Sequence, residues 1–266
     1  MQNKRSVTPL LPIFGFGCIV GCVARYFQRK YELLADGSLK DGAYLHTVLL
    51  ILSLLFVAGS IACLWKQASN VSHTQFTHHF GIFSLLAAGA ALLLIGNTLL
   101  LLSGQEPTSI YVASAPGFSA FLNKLLPPLG IAAALCVFCF VYRCFYQKKP
   151  SPLLYMCLSL YLIVRLIVRF QAWNTDPSVH DYCYALLANI ATMLASFHIA
   201  GFSFDKGKRR MSLFWLMCSA LFCSITLADT FYDGDLGELF VHLALLLCSI
   251  GNCLQLALES KEDSEF

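Results

Sequence analysis

Eight stretches of this chain are apolar for long enough to cross a bilayer, and no other feature restricts its fold as much. About 20 apolar residues, rising 1.5 Å each along a helix, span the roughly 30 Å hydrocarbon layer. The runs at 9–25, 43–65, 80–103, 120–142, 152–172, 182–204, 211–231 and 237–257 all approach that length. The fold class expected is therefore all-α. Residues 1–266 form a single membrane domain, a polytopic integral membrane protein built as an eight-transmembrane-helix bundle.

Composition agrees with that reading and excludes soluble alternatives. The chain is 58% hydrophobic and 12% charged, whereas an average soluble domain carries about 25% charged residues. Eight spans leave only short loops and two brief tails, so no separate catalytic or nucleic-acid-binding domain is expected. Its basic residues form short juxtamembrane clusters without interleaved aromatics, which argues against a nucleic-acid partner. The expected partner is the lipid bilayer itself, with a small-molecule solute as a second; no protein partner is indicated. The polar end at 259–266 reads as a disordered cytoplasmic tail.

Cytoplasmic loops are enriched in Lys and Arg. With the N-terminus inside, that side collects Lys4, Arg5, Lys66, Arg143, Lys148, Lys149, Lys206, Lys208, Arg209, Arg210 and Lys261. The opposite side holds most of the acids: Asp36, Asp41, Glu106, Asp176, Asp181, Asp233, Asp235 and Glu238. Arg25, Arg29, Lys30 and Lys40 in the first outer turn oppose the rule. The balance places both termini in the cytoplasm of a multi-pass protein of the cell membrane.

Several polar landmarks recur in order. Arg25-Tyr26-Phe27-Gln28 resembles Arg169-Phe170-Gln171, Ala58-Gly59 resembles Ala200-Gly201, and Gly96-Asn97-Thr98 resembles Ala228-Asp229-Thr230. These matches suggest internal repeats at 1–146 and 147–258. An even number of spans per unit would relate the copies by an axis along the membrane normal, as in parallel-repeat transporters. Pro127-Pro128 falls inside the fourth span and predicts a kink.

A charge in hydrocarbon costs at least about 2.5 kcal/mol on insertion scales, so each one needs a partner or water. Arg165 and Arg169 lie four residues apart on one helix face of the fifth span. Counting along the spans brings Asp229, His242, Asn97 and Asn123 to a similar depth in the outer half. Arg165, Arg169, Asp229, His242, Asn97 and Asn123 are therefore the candidate ligand-binding residues, in an outward-facing pocket between two four-helix halves. The competing reading is a closed helix lock in which an arginine pairs with Asp229 or Asp181.

Other motifs weigh less. Cys136-Val-Phe-Cys139 has a redox spacing but lies deep in a span, and most of the 12 cysteines are likewise in apolar runs, where Cys behaves as a small hydrophobe. Asn70-Val71-Ser72 has the glycosylation pattern on the cytoplasmic side, and His73, His78 and His79 match no zinc frame. No metal, no cofactor and no catalytic residue is expected. The favoured function is a transporter or permease for a small, anionic solute. A membrane-embedded ligand sensor or partner subunit of a membrane complex is the alternative, and an intramembrane enzyme using Asp229, His242 and Asp181 ranks third.

Overall fold

The computed structural model describes residues 10–34, 38–40, 42–65, 82–103, 118–146, 151, 153–173, 179–204 and 207–262. They form eight helices: α1 (Leu10–Tyr31), α2 (Leu45–Trp65), α3 (Ile82–Leu102), α4 (Phe118–Phe145), α5 (Leu153–Trp173), α6 (Val179–Ser203), α7 (Arg209–Asp233) and α8 (Leu236–Glu262). Hydrocarbon offers the backbone no hydrogen-bond partner, so an apolar run immersed in it closes its own ladder as a helix. Seven of the helices, α2 to α8, are long and apolar enough to cross a membrane. The arrangement is that of a membrane-embedded helical protein.

Two helix ends differ from the sequence reading. α1 continues past its apolar run to Tyr31, because Arg25 and Arg29 find partners on α7 and the polar turn is held. α8 continues to Glu262, so residues 259–262 are helical and not a disordered tail. Extending a formed helix adds one bond per residue without a new nucleus, and Glu and Lys are good helix formers. Pro127 and Pro128 lie within α4, which runs through them. The missing amide donors are those that would have served the carbonyls of Asn123 and Lys124, about two turns from the N-terminal start of α4.

Neighbour contacts fix the layout. α3, α4, α5, α6, α7 and α8 follow one another in a ring that closes from α8 back to α3, while α1 packs on α7 and α2 on α1 and α7. Consequently the segments 1–146 and 147–258 interleave: α3 touches α8, and α1 touches α7. α7 is the central helix, with 83% of its span buried, and α2 is peripheral, with 22%.

Small residues set the closest approaches. Gly21 on α1 faces Ile225 and Leu221 of α7, Gly96 on α3 faces Phe240 of α8, and Gly251 on α8 meets the Phe83 carbonyl and Leu86 of α3. Gly130 on α4 admits Thr98, whose Oγ1 would stand 2.7 Å from a Cβ built there. Such residues let helices approach in lipid, where apolar side chains gain nothing by leaving a solvent as apolar as themselves.

Two junctions on one face of the bundle, α1–α2 and α7–α8, are each closed by a specific device. The α7–α8 turn is Gly234-Asp235: Gly234 takes the left-handed φ of +72° and donates its N–H to the Thr230 carbonyl at 3.0 Å. Asp235 then accepts the Glu238 N–H at 3.0 Å, capping α8. At the α1–α2 junction the Glu32 carboxylate accepts the N–H groups of Tyr44, Leu45 and His46 at 2.9, 2.8 and 3.2 Å. It thereby satisfies the orphan donors at the N-terminus of α2.

Candidate functional site

The chain alternates direction from helix to helix, so α1, α3, α5 and α7 end on the face where α2, α4, α6 and α8 begin. Arg25–Asp229 and Gly21–Ile225 show α1 parallel to α7. Tyr155–Asn252 with Arg165–Glu238 shows α5 antiparallel to α8. Most of the buried charge stands within about three turns of that common face, in two separate clusters.

The first cluster joins α1 to α7. Arg25, fully buried, donates from Nε to Asp229 Oδ1 at 2.7 Å and from Nη1 to Gln28 Oε1 at 3.0 Å. Its guanidinium also lies 5.2 Å from the centre of the Tyr184 ring on α6. Because Arg25 claims the Gln28 oxygen, the Gln28 amide nitrogen is left to face His46 Nδ1, 3.3 Å away on α2. One turn further out, Arg29 Nη2 holds both oxygens of Asp233 at 2.8 and 2.7 Å, and its Nε is 4.0 Å from Asp229. Tyr26, Phe27, Tyr31 and Tyr232 surround this end with exposed rings, the pattern of an interfacial aromatic belt.

The second cluster lies inside the six-helix ring, between α5 and α8. Glu238 sits between two guanidinium groups: Arg165 Nη2 is 2.5 Å from Oε2, and Arg169 Nη2 contacts Oε1. Arg165 and Arg169 are one turn apart on α5, so one carboxylate serves both. Asp235, at the N-cap of α8, adds a second negative charge near the pair. His242, one turn below Glu238 and 1% exposed, puts Nδ1 2.9 Å from the Glu238 backbone carbonyl and 3.5 Å from Glu238 Oε2. Since a carbonyl can only accept, Nδ1 carries the proton in that bond.

Each of the three residues that contact this carboxylate keeps one buried polar atom with no hydrogen-bond partner among the described residues: Arg165 Nη1, Arg169 Nη1 and His242 Nε2. Orphaned buried polar groups are rare, and each costs on the order of 1–3 kcal/mol, more for charged groups. Asn97 on α3 stands alongside, its Oδ1 3.3 Å from where a Cβ would project at Gly237, at the start of α8.

Of the six residues singled out from the sequence, Arg165, Arg169 and His242 come together, with Asn97 beside the start of the same helix. Asp229 belongs to the other cluster. Asn123 is half-buried on α4, and no described hydrogen bond or ion pair links it to the site. Asp181's side chain, Asn70-Val71-Ser72 and the three histidines His73, His78 and His79 lie outside the described residues. The sequence reading counts Asp235 and Glu238 among the acids of one side and not among the site residues, although the apolar run 237–257 takes in Glu238. The pattern Asp235-x-x-Glu238 ahead of an apolar run is a capping signature, and it would have placed Glu238 in the first turn, four residues before His242.

Deeper in the ring the polarity is neutral. Thr192 (α6), Ser219 (α7) and Ser249 (α8) form a hydroxyl chain with spacings of 2.6 and 2.7 Å. Near the opposite face, Tyr155 on α5 donates its O–H to Asn252 Oδ1 on α8 at 2.9 Å. By register along α5 and α8, the buried Leu158, Leu162 and Leu245 lie between that pair and the Arg165–Glu238 level. A membrane helical bundle with a buried arginine–glutamate–histidine site is thus the class this chain defines. Comparison with protein-family models, with curated proteins and with solved structures gives no match to it.

Proposed function

We propose that the chain is an eight-span carrier for a small anionic solute, with α1 as the eighth crossing and both termini on the cytoplasmic side. The observation that carries this reading is that Arg165, Arg169 and His242, all set against the Glu238 carboxylate, each keep one buried atom, Nη1, Nη1 and Nε2, without a partner among the described residues. A pair that only locked two helices would be expected to exhaust its hydrogen-bonding capacity, as Arg25 and Asp229 come closer to doing. Here two guanidinium edges remain for an anion, which planar arginine donors suit well. Layering supports transport over binding alone. The charged level near the outer face and the Tyr155–Asn252 pair near the inner face are separated by leucines, so opening that layer to either side in turn would give alternating access.

The test is flux of nitrate, phosphate, acetate and lactate into proteoliposomes containing the purified protein. Wild-type protein should move at least one of these anions. Arg165→Lys and Arg169→Lys, which keep the charge but lose the second guanidinium edge, should lower that rate at least tenfold while remaining folded by size-exclusion chromatography. Absence of flux for the whole panel with folded protein, or unchanged flux in both folded variants, would overturn the proposal.

A further inference from the structure

The charges already present around His242 restrict what can bind there. Glu238 on α8 and Asp235 at its N-cap offset Arg165 and Arg169 on α5, so among the described residues the cluster is balanced before any solute enters. Among the described residues, Tyr161 on α5 and Cys223 on α7 are further titratable neighbours of this pair. α3 contributes no titratable side chain, and on α7 Asp229 and Asp233 are engaged with Arg25 and Arg29. On α6, Tyr184 is turned to Arg25. A bare anion placed beside this balanced set would bring an uncompensated charge into a site of low dielectric, which is strongly unfavourable.

The orphan on His242 offers the compensation. With the proton on Nδ1 donated to the Glu238 carbonyl, Nε2 of the neutral ring is an acceptor, whereas the two orphan arginine nitrogens are donors. An anion alone would satisfy the arginines and leave Nε2 facing its lone pairs. A proton alone would turn Nε2 into a third donor with nothing to receive it. Together they complete every bond: oxygens of the anion accept from Arg165 Nη1 and Arg169 Nη1, and one of them shares the proton with Nε2.

Resting on the anion-carrier reading above, we propose that the site takes an oxyanion together with one proton, seated on His242 Nε2, so that solute movement is proton-coupled. The balance is one anion and one proton bound on one side and the same pair released on the other, with no net charge moved. Whether the proton is drawn on the imidazole or on the anion, the bound composition is the same.

The experiment uses proteoliposomes containing a pH-sensitive dye, with the membrane potential clamped at zero by potassium and valinomycin. Nitrate is added outside as a probe whose acid form is too scarce near neutral pH to carry measurable flux, and lactate as a second probe, with protein-free liposomes as baseline. The expected result is acidification of the lumen at one proton per anion taken up. His242→Gln, which has no seat for the proton, should lose anion uptake and the associated acidification together, each at least tenfold; a folded His242→Gln that keeps both would overturn the assignment of the proton to His242. Anion uptake by the wild-type protein without acidification overturns the proton coupling and leaves the carrier reading standing. Loss of all anion uptake by the wild-type protein across the wider panel overturns the carrier reading itself. Should His242→Gln fail to fold, the proton-to-anion ratio in the wild-type protein decides alone: near one supports the proposal, near zero sinks it.

Discussion

At the scale of single residues, the two clusters make opposite predictions for the same kind of substitution. Arg25→Met leaves Asp229 buried with only Arg29, 4.0 Å away, as a counter-charge, and should destabilise the protein by about 3 kcal/mol. Adding Asp229→Leu should recover most of that loss, because an apolar pair of similar volume replaces a desolvated ion pair at little cost. Thermal or denaturant unfolding in detergent measures both; a double variant no more stable than Arg25→Met would rule out the electrostatic account. By contrast, Asp233→Asn acts on a carboxylate that is 39% exposed, and should change stability by only about 0.5 kcal/mol, as for other surface pairs. Counting residues from the ends of apolar runs puts Arg165, Arg169, Asp229 and His242 at a similar level, and that much is readable without coordinates. Pairing is not, because it depends on which helices become neighbours. Asp229 has Arg25 across from it only because α1 packs parallel to α7, and Glu238 meets Arg165 and Arg169 only because α5 and α8 face each other inside the ring.

At the scale of helices, close approach is set by side chains absent or small at a few positions. Gly130→Ala would place a methyl group 2.7 Å from Thr98 Oγ1, at the α3–α4 contact. The Thr98 hydroxyl is itself held to the Leu94 carbonyl at 2.8 Å and has little room to yield. The substitution should cost about 1–3 kcal/mol, and Thr98→Ala in the same chain should restore most of it. An unfolding series of the two single variants and the double checks this, and additivity of the two effects would count against direct contact. Helix positions were largely readable from hydropathy, since each described helix overlaps one apolar run and most ends agree within a few residues. The exceptions are informative. α1 and α8 outlast their apolar runs because ion pairing and helix propagation, which hydropathy does not register, continue to favour helix at their polar ends.

At the scale of the whole molecule, alternation of helix direction puts Lys40 and Lys208 at opposite faces, in the α1–α2 and α6–α7 connections. Single cysteines replacing each, in a chain otherwise free of reactive thiols, should be labelled by an impermeant maleimide from opposite sides of the membrane. With the orientation proposed above, Lys208→Cys should react only after the cytoplasmic face is opened; labelling of both from the same side of sealed vesicles would contradict the topology. The ring of α3 to α8 was not legible from the sequence. Polar landmarks repeated along the chain describe each segment separately, while contacts such as Gly96–Phe240 between α3 and α8 join residues from the two segments.

α2 touches little besides α1 and α7 and is clasped at its outer end by the single carboxylate of Glu32. Most of what presses it into place is therefore the surrounding acyl chains. Extraction into a short-chain or poorly matched amphiphile should let this helix swing away first, while the ring of six keeps its form. A preparation could then pass every test of secondary structure and still have lost its second helix, which makes the choice of solubilising agent part of the protein's tertiary structure.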